Sequence, residues 1–371
     1  MSETVLVIGG GVGGMSAALA LARSGTKVEL IDADPGWRVY GAGISVTGLS
    51  LRAFDDLGIL EEVRARGHIG SGMRGRAMDG SLLFEVPADT NSAPIRSSGG
   101  IMRPALHEIL SSHVRRADIA VRLGLRAIEI TETDRAARVR FDDGSEGHYK
   151  LVVGADGIYS DTRLMLFPHA DKPRFTGQGC WRAIADRPPG LDRAEMVFGG
   201  PVKLGFNPIS ETQLYLFVLE HVPDNRRFEP AEQVDHLKAL LEPFGGYVPQ
   251  IRAALGEHSL VNYRPLEWLL LPEPWFRGRV VLIGDAAHAT TPHMASGAGM
   301  AVEDGLVLAE EMARTQDVGA ALTSFMARRL ERARLVVENS VRIGEIEMSG
   351  GDQVEANTML GDTMARLQQP Y

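Results

Sequence analysis

The chain has 371 residues, 44% of them hydrophobic and 23% charged, with a net charge of −9 and one cysteine, Cys180. That length suggests about two domains of ordinary globular composition, and the acidic balance argues against nucleic acid or an anionic membrane as partner. One cysteine excludes an intrachain disulfide or a redox cysteine pair, and no apolar stretch is long enough to span a membrane.

The first apolar run, residues 4–8, ends at Gly9-x-Gly11-x-x-Gly14 and leads into an alanine-rich helix over 15–23, closed by Gly25. It reads as a dinucleotide-binding strand and turn, not as a signal peptide. Gly9 permits the tight turn, Gly11 lets backbone approach a pyrophosphate, and Gly14 allows close packing of helix on strand. The helix start offers free N–H groups and a positive dipole end to phosphates. A second strand over 27–31 leads to Asp32, 21 residues after Gly11. An acidic side chain there suits the ribose hydroxyls of an adenine dinucleotide. This segment alone does not separate FAD from NAD.

Farther along come Arg38, then Gly41-Ala-Gly43, and Ile101-Met-Arg103-Pro104, the last fitting a helix start with an early proline. Leu151-Val-Val-Gly154-Ala-Asp156-Gly157 follows, with Ser160 and Arg163. Strands are expected over 202–207 and 213–220, placing Lys203, Gly205 and Asn207 on one face, and Gln213, Tyr215 and Phe217 on one face of the neighbour. A helix is expected over Pro230–Leu241. The apolar run 280–283 opens onto Gly284-Asp285-Ala-Ala-His288, so Asp285 falls at the carboxyl end of a buried parallel strand, where open α/β sheets place ligands. Thr290 to Gly299 reads as a loop containing Pro292, followed by a helix from near Met300. Gly297-Ala-Gly299 lacks the last glycine of a second dinucleotide fingerprint. A long amphipathic helix is expected over about 320–346, with Arg328-Arg329 and Arg332/Arg334 on its solvated face. The tail from Gly350 is polar and glycine-bearing, and its pattern specifies no order. The ten histidines show no tight ligand spacing, and no metal is expected.

Taken in order, the Gly9, Asp156-Gly157 and Gly284-Asp285 segments resemble the single-component (group A) FAD-dependent aromatic hydroxylases, the para-hydroxybenzoate hydroxylase-like flavoprotein monooxygenases. The resemblance runs from residue 4 to about 340. It implies an α/β fold: a discontinuous Rossmann-like FAD-binding domain (1–70, 97–165 and 277–315), an inserted β-sheet substrate domain (71–96 and 166–276), and a C-terminal helical segment and tail (316–371). FAD would be the bound cofactor, NADH or NADPH a transient reductant and O2 the co-substrate. A C4a-hydroperoxyflavin would hydroxylate a small aromatic or heteroaromatic substrate.

By the same resemblance, cofactor contacts fall to Gly9, Gly11, Gly14, Asp32, Arg38, Gly43, Arg103, Asp156, Gly157, Gly284, Asp285, Pro292, Gly297, Ala298 and Gly299. Tyr215, Lys203 and Pro292 would stand on the catalytic side, with Trp181-Arg182 of similar standing, and His288 near the cofactor. The chain departs from the family at Ala295-Ser296, where Gly-Gln is common, and at Val46-Thr-Gly48, where Pro-Asn is more usual. Both departures bear on loop contacts more than on the motifs. A cytoplasmic monomer or homodimer is expected. Two readings compete: an epoxidase of a non-aromatic natural product, and a flavin-dependent reductase or dehydrogenase on the same fold.

Overall fold

Val5, Leu6 and Val7 are wholly buried, as are Leu151, Val152 and Val153. Runs that are apolar on both faces suit a parallel sheet covered on both sides. In the computed structural model, which describes residues 3–39, 41–70, 72–86, 98–133 and 136–371, they lie side by side. β1 (Thr4–Ile8) pairs in parallel with β2 (Lys27–Asp32) and with β12 (Leu151–Gly154). β8 (Ala120–Leu123) extends one edge beyond β2, and β19 (Val280–Leu282) with antiparallel β18 (Phe276–Arg277) the other. Register brings the motifs together: Ile8 stands opposite Gly154, and Gly154 opposite Leu282. The three strands therefore end level, and all three motif segments leave the sheet at one edge. The sheet is flanked by α1 (Val12–Arg23), α4 (Arg103–Arg116), α5 (Asp161–Leu166), α8 (Asp285–His288) and α9 (Gly297–Arg314). Gly305 lets α9 cross α1 closely, since a β-carbon there would lie 2.7 Å from the Ala17 nitrogen.

A second sheet has, among the described residues, the order β17 (Val261–Trp268), β13 (Arg174–Asp186), β16 (Gln213–His221), β15 (Lys203–Pro208), β14 (Ala194–Phe198), β5 (Met73–Ala77) and β6 (Leu82–Val86). Alternation splits its faces. Trp181, Ala183, Leu204, Phe206, Leu216 and Val218 form a core with residues of α6 (Pro230–Leu241) and α7 (Val248–Ala254). The opposite face carries Cys180, Arg182, Tyr215 and Phe217. Among the described residues there are also two three-stranded sheets. One is β3 (Gly43–Val46), β7 (Gly99–Met102) and β4 (His68–Ile69); the other is β9 (Ala127–Glu132), β10 (Ala137–Phe141) and β11 (Glu146–Tyr149). Helices α2 (Gly48–Asp56) and α3 (Leu60–Arg66) follow β3.

Three helical boundaries differ from expectation. α9 begins at Gly297 rather than near Met300, so the glycines read as loop are helical. α10 runs over Val318–Ser349 and ends on Gly350 in the left-handed region, φ 64°. The tail forms α11 (Gln353–Leu367), capped by Asp352, whose side chain accepts the Val354 N–H. Among the described residues no helix is long and apolar enough to cross a membrane.

Candidate functional site

The glycine turn is shaped by contact. A β-carbon at Gly9 (φ 108°) would stand 2.4 Å from the Ala155 carbonyl oxygen, and one at Gly14 would stand 1.8 Å from the Gly9 oxygen. Gly11 instead faces open space, with nothing within 4 Å of such a carbon. Two glycines are thus fixed by packing and the third leaves an approach for a ligand. Asp32 closes the turn from the next strand: its Oδ2 accepts the Gly10 N–H (2.7 Å) and its Oδ1 the Asp34 N–H (2.7 Å). Each oxygen keeps a further lone pair. Trp37 donates its indole N–H to the Gly10 carbonyl at 2.9 Å. Arg38 lies beside the turn, paired at 3.0 Å with Asp34, whose carboxyl it holds well below the usual range.

The second segment is tied to the third. Asp156 accepts the Ser160 hydroxyl (2.5 Å) and both the N–H and hydroxyl of Thr162 (2.9 Å each). Ser160 in turn caps α5 by accepting the Arg163 N–H. Arg163, buried, donates to the carbonyls of Ala286 (3.0 Å) and Ile158 (2.7 Å). Gly157 sits at φ 83°, beside open space. Gly284, at φ 56°, turns the chain so that Asp285 opens α8. The Asp285 side chain keeps contact with solvent, yet protein surrounds it closely enough that burial pushes its carboxyl up, against the pull of His288 and Arg103. It lies in a cleft, not on an outer surface.

Across that cleft stands the inner face of the second sheet. Arg182 donates from Nε to the Tyr215 hydroxyl at 3.1 Å. Burial pushes the Tyr215 phenol up, against the pull of Arg182 and Arg103, so it is neutral near pH 7. Arg103 opens α4, half-buried, and burial and the nearby Arg182 charge push it down. Its guanidinium forms no hydrogen bond or ion pair among the described residues. Gly41 and Gly43 bring backbone against these groups: β-carbons there would stand 3.0 Å from Arg103 Cδ and 2.6 Å from Tyr215 Cβ.

Lys203 does not join them. It stands on β15 four residues from Asn207, the partner of Tyr215, about 13 Å away at strand rise. Its ammonium pairs with Glu347 of α10 at 2.5 Å. Lys203 was expected on the catalytic side; here its ammonium is engaged by Glu347. Pro292 begins a 3-10 turn, Pro292–Met294, and Ala295 follows in the left-handed region at φ 47°, which a glycine would adopt without strain. Gly297, Ala298 and Gly299 then form the first turn of α9, where N–H groups lack helical partners.

Sequence reasoning missed Trp37 and the burial of Arg329, and it placed Glu303-Asp304 in the motif that follows Gly284-Asp285 without giving the pair a role of its own. Arg329 was expected on a solvated face and is instead wholly buried. Its spacing carried the signal: Phe325, Met326, Arg329, Ala333 and Val336 form one buried helical stripe. Among the described residues no group of His, Cys, Asp and Glu could hold a metal ion.

The family described as FAD binding domain matches residues 2–340. The chain is an FAD-dependent monooxygenase of that family. The monooxygenase is 32% identical to 3-hydroxybenzoate 6-hydroxylase of Polaromonas naphthalenivorans (strain CJ2), over 94% of this chain and 88% of that one. It is 34% identical to 2-heptyl-3-hydroxy-4(1H)-quinolone synthase of Pseudomonas aeruginosa (strain UCBPP-PA14), over 82% and 80%. Klebsiella pneumoniae HpxO, solved with FAD and uric acid, superposes with a TM-score of 0.85 at 25% identity, covering 98% of this chain and 97% of that one. The residues suit FAD: an open Gly11, a cleft-facing Asp285 and an Arg103 with no hydrogen bond among the described residues stand at the edge where the three segments meet.

Proposed function

We propose that the monooxygenase hydroxylates a small aromatic or heteroaromatic compound, held between the Arg182–Tyr215 face and the Pro292 turn. NADH or NADPH and O2 are consumed, and one oxygen atom leaves as water. The relatives named above support the reaction class. The observation that carries the substrate side is the Arg182–Tyr215 bond. Because Arg182 donates to the phenolic oxygen, the Tyr215 proton remains to be given to an acceptor on the ligand. A phenolate, ring carbonyl or carboxylate oxygen meets that need, and the positive charge of Arg182 and Arg103 favours an anionic one.

Bound FAD supplies the reduction of O2 and the oxygen transfer. The chain's own residues bind and orient: Gly9, Gly11, Gly14 and Asp32 the adenosine pyrophosphate end; Arg103, Asp156, Gly157, Gly284 and Asp285 the centre; Gly43, Pro292 and the Gly297–Gly299 turn the ring end, with Arg38 at the rim. In this reading residues 1–70, 97–165 and 277–315 hold FAD, 71–96 and 166–276 hold substrate, and 316–371 buttress both, in a cytoplasmic monomer or homodimer.

The test follows NAD(P)H oxidation, oxygen uptake and peroxide together across phenolic and heteroaromatic acids. A stimulating compound should give little peroxide and a product heavier by one oxygen. Tyr215→Phe should keep full FAD content and lose at least tenfold in hydroxylation, given the usual weight of a positioned proton donor. Unaltered kinetics in that variant would remove the role, and stimulation with stoichiometric peroxide would mean a ligand that triggers flavin reduction only.

A further inference from the structure

Behind the Gly284-Asp285 turn lies a chain of buried charges that faces no ligand. Asp304, on α9, uses Oδ2 twice, accepting the Gly284 N–H at 2.8 Å and binding His288 Nε2 at 2.6 Å. Its Oδ1 accepts from Arg329 Nε at 2.7 Å. Arg329, from α10, also donates to Glu303 Oε2 (2.7 Å) and to the Met300 carbonyl (3.2 Å). Asp304, Glu303 and Arg329 are 0% exposed and His288 is 3% exposed. Burial alone would push the Asp304 carboxyl up, but His288 and Arg329 hold it down at about 2. It is therefore a full charge near neutrality.

We propose that Asp304, kept in place by Arg329, is a positioning residue that fixes the Gly284 backbone and so aims Asp285 at the cofactor. The inference rests on the reading of Asp285 as an FAD contact. The Gly284 N–H belongs to the start of α8, where helical acceptors are lacking. Gly284 holds φ 56°, ψ −141°, a conformation nearly confined to glycine, which needs outside restraint to be the only one occupied. A charge-assisted bond from a buried carboxylate supplies it. The next residue is Asp285, so rotation about the Gly284 dihedrals swings its carboxylate directly. Arg329 is required because, among the described residues, it is the one arginine that bonds Asp304, whereas the adjacent Glu303 is also held by Arg52 and Arg332.

The test is a double-mutant cycle on the full chain, read as the FAD dissociation constant from flavin fluorescence on dilution of the holoprotein. Asp304→Asn should weaken FAD binding at least tenfold. In an Asp285→Asn background the same change should add no more than twofold, since its route to the cofactor is gone. Losses that multiply in the double variant would overturn the positioning role, as would wild-type affinity in Asp304→Asn. Wild-type affinity in Asp285→Asn would instead remove the Asp285 contact, and the proposal with it. Should Asp304→Asn fail to fold, Arg329→Lys serves: a loss of threefold or more that vanishes in the Asp285→Asn background supports the role, and equal losses in both backgrounds overturn it.

Discussion

Tyr263 shows how a single buried hydroxyl registers in stability. Its ring packs on Trp181 at 4.6 Å between centroids, on the sheet face away from the cleft. Its oxygen is buried with no hydrogen-bond partner among the described residues. Burial, and then the nearby Glu220 charge, push the phenol up to about 12. The unfolded chain ionises near pH 10. Between those values the unfolded state has lost the proton while the folded state keeps it, so the stability this group contributes is present below pH 10 and lost as pH rises through 12. Tyr263→Phe keeps the ring contacts and removes an oxygen whose unpaired burial costs about 1–3 kcal/mol. Urea unfolding at pH 7 should show the variant more stable by about 1 kcal/mol. It should also lose less stability than wild type between pH 10 and 12. Equal slopes for both proteins would show that Tyr263 is not the group that titrates.

At the scale of elements, the first β-turn-α unit was legible because each of its glycines has a local reason. The start of α9 was not. Gly297 and Gly299 are poor helix formers, and nothing local to Ala295-Ser296-Gly297 signals a helix. The reason is tertiary: a β-carbon at Gly299 would stand 2.7 Å from Ser50 Oγ and 2.9 Å from Ser50 Cα, so the glycine lets α9 seat against α2. The order of the tail was left open for the same reason. Its polar sequence suggests no order, yet Arg52 and Arg332 take the Leu367 carbonyl at 3.1 and 2.6 Å while both hold Glu303. Arginines 315 and 35 residues away in sequence cannot be read from the tail itself. Gly305 separates the local and tertiary effects. Gly305→Ala gains about 1 kcal/mol of helix propensity, but its new carbon would lie 2.7 Å from the Ala17 nitrogen and 2.8 Å from Ala17 Cα. Those are backbone atoms of α1 and cannot rotate away, so overpacking of about 1–3 kcal/mol or more wins. Thermal unfolding should show the variant destabilised, with weaker FAD retention if the Gly9–Gly14 turn that leads into α1 holds the pyrophosphate as proposed. A variant more stable than wild type would mean that the two helices separate easily.

For the whole molecule, the decisive fact is that the site belongs to no single stretch of chain. Gly11, Asp156 and Asp285 come from three strands that end level, Arg103 from α4, and Tyr215 from the other sheet. A ligand touching all of them binds only the folded arrangement, and so stabilises it by about 2.7 kcal/mol at a hundredfold excess over its dissociation constant. In a chain of this size each kcal/mol shifts the midpoint by roughly 1.3 °C, so saturating FAD should raise the Tm of flavin-stripped protein by about 3–4 °C. If Gly11 and Asp285 hold FAD as proposed, an adenine dinucleotide without the flavin meets the Gly11 turn but not the Asp285 edge. NAD+ at equal concentration should therefore give a much smaller shift. Both midpoints can be followed by fluorescence in variants that keep one of the four tryptophans, Trp37 on the glycine turn or Trp181 in the core of the second sheet. Parallel gains at the two tryptophans would show that the cofactor joins the sheets energetically. A gain confined to Trp37 would show that FAD stabilises its own sheet alone and that the Arg182–Tyr215 face is held independently.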